Sequence, residues 1–477
     1  MQQVKCRVFE RVLHHPYQAL DHAQTTRPEL PMRQLKQNAV VFFAIVILGS
    51  ILSAIIPPMQ SPDEGDHLRR AYLLSVGSHV FTPSGQSTGG NIDDGLKAFM
   101  AAYLDAVANK PHTTLTTQTI RDANDIRWSG TRSFEGMPNA SPYFPLAYIP
   151  QAIGLRIGQT LHLRIGTSYR LARATSLVAI AALLALSFQI FQPNALVLCV
   201  LALPMTMFQI VSATQDGISI AWLILSVSLF RRGIEREQTF PTWMGVLLII
   251  STFLVISSRP QLFPIALFSA SVFWMRNDRR ALVVTAIAAL GALAWIIHGL
   301  GVVNMAHTRS MSTGQILSMY AHHPVNLIAV FARTLTDPGY LAFYWHSFVG
   351  ILGWLDTPMP ASTYVVSAVA LTVAAAISFS RDVSRCARWL PIFCAVSAIG
   401  LAFFAMLITW TDQPAQFIVG VQGRYFAAPA VLIAYGLGGQ TTSETRAMAR
   451  VIVCGGFLAI SGFLTASTVL WRYYLGM

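Results

Sequence analysis

The chain has 477 residues, of which 54% are hydrophobic and only 11% charged, and its mean hydropathy is +0.52. A soluble domain of this length carries about 25% charged residues, so the composition excludes an ordinary water-soluble protein and implies a solvent that is mostly lipid. The net charge of +12 does not point to nucleic acid, because the basic residues fall in short clusters between apolar runs rather than on one domain.

In chain order, residues 1–38 hold Lys5, Arg7, Arg11, Arg27, Arg33 and Lys36 without an apolar core. They read as a basic cytoplasmic tail and not as a cleavable signal. Apolar runs near the roughly 20-residue spanning length then recur from Ala39 to Leu470. Arginine clusters at Arg231, Arg232 and Arg236, at Arg276, Arg279 and Arg280, at Arg381, Arg385 and Arg388, and at Arg446 and Arg450 mark inner loops. The apolar segments between them must therefore come in pairs, and 244–256 with 262–275 and 387–410 with 425–439 do so.

The first span, 39–56, exits. Four apolar segments follow before Arg231, one more than parity allows. Segment 144–161 is interrupted by Pro145, Pro150, Arg156 and Gly158, so it is expected to lie as a juxtamembrane or re-entrant helix on the outer face. Parity also keeps the aromatic stretch 324–360 outside or dipping in and back. The predicted architecture is an all-α polytopic membrane protein with about eleven transmembrane helices. Its single transmembrane domain runs over 39–477, with a cytoplasmic N-terminus, an outer C-terminus and two outer regions at 59–169 and 301–363. Within the first, 82–141 is polar and rich in Gly, Thr, Asn and Asp and reads as a partly mobile loop. Cys6, Cys199, Cys386, Cys394 and Cys454 offer no outward pair for a disulfide and no zinc spacing.

Just past the first span stands "PPMQSPDEGDHLRRAY", residues 57–72. One reading is local: Ser61 as N-cap, Pro62 at the first helical position and Glu64 three residues after the serine make a capping box, with Asp63 favoured by the helix dipole. The other is chemical, since a carboxylate partly desolvated at the lipid boundary is placed to deprotonate an acceptor hydroxyl. Asp63 and Glu64 are adjacent, so at most one points into a cavity, whereas Asp63 and His67 share a face. That pair could also hold a divalent cation, but the sequence assigns it no third ligand.

Further polar residues fall at outer span ends by the same topology. Asp216 follows "PMTMFQIVSATQ", Arg259 sits in "SSRPQLFP", and Arg424 and Tyr425 sit in "VQGRYFAAP". Outer arginines break the arginine-inside trend. They either snorkel to head groups or, as a pair locked beside proline and glycine, clamp an anionic phosphate. Arg170 and Arg173 are weaker candidates, because arginines that start helices are common anchors.

Taken in order, "PPMQSPDEGDHLRRAY", "SPYFPLAYIPQAIG", "YRLAR", "LALPMTMFQIVSATQDG", "GILGWLDTPMP" and "VQGRYFAAP" resemble the bacterial predicted membrane proteins of domain-of-unknown-function family 2142. That family is similar to the GT-C class of glycosyltransferases, which use polyprenyl-phosphate-linked sugars. The resemblance implies an enzyme of the bacterial inner membrane that moves a sugar from such a donor to a glycan, lipid or protein acceptor on the periplasmic side. Asp63 becomes the candidate base, with Glu64 beside it, and Arg259 stands where many members have a basic residue after the fifth span. His67, Arg424, Tyr425 and Asp216 complete the candidate substrate site. Many GT-C enzymes continue into a soluble outer domain, whereas this sequence stops at "WRYYLGM", which leaves the acceptor class open. The rivals are a transporter or flippase of lipid-linked sugars, which needs ionisable groups at mid-membrane, and a non-catalytic scaffold.

Overall fold

The computed structural model describes residues 29–78, 82–84, 87–108, 110, 112–235, 238–302, 311–438 and 444–476. Most of the expected cytoplasmic tail, with Lys5, Arg7, Arg11 and Arg27, lies outside the described residues, as do Cys6 and Arg236. The first helix, Glu29–Ile55, begins ten residues before the edge expected for the span, so Arg33 and Lys36 are helical.

The protein is an α-helical polytopic membrane protein. Among the described residues six helices are long and apolar enough to cross a bilayer: Ile165–Ile190, Asp216–Ile234, Arg279–Gly299, Ala361–Ser378, Arg385–Thr409 and Thr445–Leu475. Asp216–Ile234 is the central one, with 89% of its apolar window buried, whereas Arg279–Gly299 stands at the rim with 11% buried. Both are apolar all round, as a helix must be whose neighbours are either packed side chains or lipid. Segment 195–211 is broken. It forms Ala195–Leu201 and, restarted by a proline at its first position, Pro204–Ile210, because proline has no N–H to continue the hydrogen-bond ladder.

The interrupted segment 144–161 becomes a short 3-10 turn, Pro145–Tyr148, and the helix Ile149–Thr160. Its glycines are packing surfaces. A Cβ on Gly154 would come within 2.5 Å of the Ala172 backbone, and one on Gly158 within 2.1 Å of Ser168 Oγ, so the helix lies directly against Ile165–Ile190. Its other face leaves Ile149, Ile153 and Ile157 exposed.

The stretch read from sequence as a loop at 82–141 is folded. Strands Thr82–Ser84, Ser87–Asp93 and Arg132–Gly136 form an antiparallel sheet in that order, with Gly89 opposite Gly136 and Asp93 opposite Arg132. The helix Asp94–Val107 follows, capped by Asp93, whose carboxylate accepts from the amides of Gly95 (2.9 Å), Leu96 (3.2 Å), Ser129 (3.1 Å) and Gly130 (3.0 Å). Leu96, Phe99, Met100, Tyr103 and Val107 are buried beneath it. That spacing is helical, and the polar composition around it concealed it. This sheet departs from the all-α expectation.

Helices Pro324–Thr336 and Pro338–Gly350 precede a small hairpin, Ile351–Leu352 with Thr357–Pro358. Trp354 in its turn donates its indole N–H to the carbonyl of Met59 (2.8 Å). Arg472, in the last helical turn Trp471–Leu475, donates to the carbonyls of Val107 and Thr113 (both 2.9 Å) and pairs with Asp356 (3.1 Å). The chain's end thereby fastens the hairpin and the sheet region over the same end of the helical bundle.

Candidate functional site

The turn that follows the first helix carries two residues in the left-handed region, Met59 (φ 63°) and Asp63 (φ 62°). Such conformations in residues other than glycine cost about 1–3 kcal/mol each and cluster at functional sites. The helix starts at Glu64, with Asp63 as an N-cap that makes no side-chain cap bond. Of the expected capping box only the reach-back remains, Ser61 N–H donating to Glu64 Oε2 (3.3 Å).

The reason is that Glu64 has another partner. It is fully buried and accepts from the Arg173 guanidinium (2.9 Å), the Tyr169 hydroxyl (2.6 Å) and the Ala213 amide (2.8 Å). Arg173 also donates to the carbonyls of Ser53 (3.1 Å), Ile56 (2.8 Å) and Pro57 (3.2 Å), satisfying groups that a helix C-terminus leaves open. Glu64 is thus closed off from any acceptor, and the candidate base narrows to Asp63.

Asp63 turns the opposite way and pairs with Arg424 (2.6 Å), while its other oxygen accepts from the Asn139 side-chain amide (3.3 Å). Arg424 reaches on to Asp216 (3.6 Å), and Asp216 pairs with Arg259. Four charges of alternating sign, drawn from four distant elements, therefore form one chain. Arg424 is held in place by Gly423, whose amide donates to Ser347 Oγ (2.8 Å) and whose missing side chain lets the backbone pass Phe348; a Cβ there would meet the Phe348 nitrogen at 2.0 Å. Asp216 opens the central helix, and Arg259 ends Thr242–Ser258 just before Pro260.

His67 stands beside this chain. Its Nδ1 lies 2.7 Å from the Tyr148 hydroxyl, and its ring stacks on Tyr143 and Tyr148 (5.9 and 5.7 Å between centroids). The Arg259 guanidinium covers the far Tyr143 ring at 5.6 Å, and that of Arg424 covers Tyr425 at 5.4 Å. A cavity of about 30 Å³ opens among Asp216, Arg259, Arg424 and Tyr425, room for a water-sized group. Asp63, His67, Asp216, Arg259, Arg424 and Tyr425 meet in this neighbourhood, whereas Glu64 and Arg173 pair with each other and Arg170 is exposed beside Thr167. Among the described residues no group of three His, Cys, Asp or Glu side chains gathers as metal ligands would.

The electrostatics separate the carboxylates. Burial pushes Asp63 upward, but the charge and hydrogen bond of Arg424 outweigh it and hold the carboxyl below its ordinary value. Sequence reasoning expected the desolvation and missed the compensating arginine. Asp66, paired with Arg69 (2.9 Å), is pushed up to about 6 by burial. Burial lowers His67 to about 3, so it is neutral at pH 7. Arg424 is pulled down by burial and carried above its usual value by Tyr425 and Asp63.

Asp66 and His67 act on stability in opposite senses. His67 resists protonation when folded (about 3 against 6.5), so its contribution is complete above pH 6.5 and is lost as pH falls towards 3. Asp66 holds its proton more tightly when folded (about 6 against 3.8), so its contribution is complete below pH 3.8 and is lost as pH rises through 6. Each group tilts stability by at most about 1.4 kcal/mol per pH unit. Between pH 3.8 and 6 the two oppose each other. Asp66→Asn is expected to steepen acid destabilisation there, and His67→Gln to flatten or invert it relative to the parent. Thermal midpoints of the purified protein across pH measure both, and parallel curves for all three proteins would refute the assignment.

Sequence reasoning passed over Asn139, Asp66, Tyr143 and Tyr148 as members of this site or its support, and named Arg173 only as a weaker candidate. Tyr143 and Tyr148 were visible in "SPYFPLAYIP", where an aromatic pair five residues apart gave no hint of a shared histidine.

A family model described as "Predicted membrane protein (DUF2142)" matches residues 46–433. No curated protein matches the chain.

Proposed function

Because the chain belongs to the DUF2142 family of predicted membrane proteins, and because Asp63, Asp216, Arg259 and Arg424 come together from distant elements, we propose that it is an inverting glycosyltransferase of GT-C type in the bacterial inner membrane. The donor is a polyprenyl-phosphate sugar, and the acceptor is a surface glycan, a lipid or a protein on the periplasmic side. In the matching topology the N-terminus is cytoplasmic. In this reading the six long helices are joined by five further crossings, Glu29–Ile55, the broken pair Ala195–Leu201 and Pro204–Ile210, Thr242–Ser258, Pro260–Met275 and Ala427–Leu437, which makes eleven.

The observation that carries this reading is the chain Asp63, Arg424, Asp216, Arg259. It sets one partly exposed carboxylate beside two guanidinium groups, the set that transfer from a lipid phosphate requires. Asp63 takes the proton of the acceptor hydroxyl, whose oxygen forms a bond to the anomeric carbon. The bond from that carbon to the phosphate oxygen breaks, and Arg259 and Arg424 take up the negative charge gathering on the departing lipid phosphate. Asp216, which bridges the two arginines, must yield one of them when the phosphate arrives.

The test is a reconstituted assay with a labelled polyprenyl-phosphate sugar. Transfer of label to a water-soluble or lipid acceptor supports the proposal, whereas movement of the intact lipid across the bilayer without sugar release would make the protein a flippase. Arg259→Met is expected to lower kcat about 100-fold, the loss typical of one donor to a developing anion, and unchanged turnover would remove Arg259 from the reaction.

A further inference from the structure

The cavity beside the ion-pair chain is walled by Thr206, Gln209, Asp216, Ser219, Arg259 and Arg424. Three polar atoms in these walls, Gln209 Nε2, Ser219 Oγ and Arg424 Nε, have no hydrogen-bond partner among the described residues. All three side chains are more than nine-tenths buried, with Gln209 3% and Ser219 5% exposed and the Arg424 side chain 6%. A buried donor left unmatched costs stability unless something else accepts from it.

The chemistry of the three atoms is one-sided. Gln209 Nε2 and Arg424 Nε only donate, and the Ser219 hydroxyl rotates to donate as readily as to accept. They come from three separate elements: Gln209 from Pro204–Ile210, Ser219 from the first turn of Asp216–Ile234, and Arg424 from the turn Gly423–Phe426. Unmatched donors on three elements that line one cavity fit an oxygen that accepts several hydrogen bonds, and with two arginines in the same lining they fit an anionic one. Asp216 already supplies such oxygens from within, because its carboxylate reaches both Arg259 and Arg424.

We infer that Gln209, Ser219 and Arg424 Nε form a pocket for one oxygen of a phosphate ester, and that Asp216 is an internal carboxylate which holds the two arginines in register until that phosphate displaces it. This inference rests on the reading of the site as one that binds the phosphate of a lipid-linked donor, and it adds the residues that grip it. The volume of about 30 Å³ matches one oxygen and not a whole phosphate, so the ion pairs of Asp216 must open for the ligand to seat.

The experiment measures binding of farnesyl phosphate, farnesol and inorganic phosphate to the full chain in nanodiscs, with thermal midpoints as a check on folding. The unaltered protein is expected to bind farnesyl phosphate and not farnesol. Gln209→Met and Ser219→Ala should each weaken farnesyl phosphate roughly 10-fold, the effect of losing one hydrogen bond to a charged group. Asp216→Asn should tighten it by a similar factor, because a competing anion is gone. Inorganic phosphate that follows the same pattern would mean that the head group alone is recognised, and its failure to bind would assign the site to lipid phosphates. Wild-type affinity in both the Gln209 and Ser219 variants, or equal binding of farnesol, would overturn the pocket, and weaker binding by Asp216→Asn would overturn the displacement. The two levels of the argument separate cleanly. Phosphate affinity that depends on Gln209 and Ser219 in a protein unable to transfer sugar keeps the pocket and removes the transferase, whereas normal turnover and KM in those variants does the reverse.

Discussion

Asp63→Asn is expected to reduce sugar transfer by about 10²- to 10⁴-fold, the range for a positioned general base, with little loss of thermal stability. The substitution keeps the shape of the side chain and its contact with Asn139, and Arg424 retains Asp216 as a charged partner 3.6 Å away. The Asp63 side chain is also 30% exposed, so the ion pair it gives up is worth far less than a fully buried one. The pH profile carries the finer test. Arg424 holds Asp63 below the ordinary carboxylate range, so a base at this position is ionised throughout pH 5 to 8 and imposes no acidic limb there. An acidic limb near pH 6 would move the role to Asp66, whose carboxyl is pushed up to about 6. Undiminished transfer by Asp63→Asn would end the assignment altogether.

A base with a depressed pKa is intrinsically weak, and this shifts the weight of the mechanism to the arginines. The acceptor hydroxyl becomes acidic only as its oxygen bonds to the sugar, so a weak base suffices late in the step. The early barrier is then lowered chiefly by groups that stabilise the departing phosphate. In the resting arrangement those groups are neutralised by Asp63 and Asp216. Two carboxylates and two guanidiniums in alternation cancel one another, which keeps four charges tolerable at the edge of a lipid-facing bundle, and a bound phosphate must compete with them.

How far this was legible beforehand differs from residue to residue. Asp63, Asp216, Arg259 and Arg424 could be grouped because arginine parity assigns each to the same side of the membrane, and polar residues at span ends are few in so apolar a chain. Parity gives the side but not the neighbour. It could not indicate that Arg424 would neutralise Asp63, or that Asp216 would stand between the arginines. The surroundings of Glu64 were hidden for a related reason, since local spacing offered a capping box while its charged partner, Arg173, lies 109 residues away. The sheet and helix of 82–136 were hidden by composition. Glycines at Gly89 and Gly136, read as signs of a loop, serve strand packing so close that a Cβ on Gly89 would meet the Glu135 carbonyl oxygen at 1.9 Å.

Arg173→Met is expected to destabilise the protein by about 3 to 5 kcal/mol, the cost of leaving one member of a buried ion pair without the other. Glu64 is fully buried and Arg173 4% exposed, so water cannot take over for the missing guanidinium. The loss extends beyond the pair, because Arg173 also satisfies the carbonyls of Ser53, Ile56 and Pro57 at the end of the first helix. The double variant Glu64→Gln with Arg173→Met removes the stranded charge and should recover part of the loss but not all of it, since those carbonyls remain without their donor. Thermal midpoints of the single and double variants measure the coupling between the two side chains. This pair ties the start of the helix at Glu64, immediately after the left-handed Asp63, to the carbonyls that end the first helix. Transfer is therefore expected to fall along with stability in Arg173→Met and to return partly in the double variant. Wild-type stability with abolished transfer in Glu64→Gln alone would instead place Glu64 in the chemistry and displace Asp63 from it.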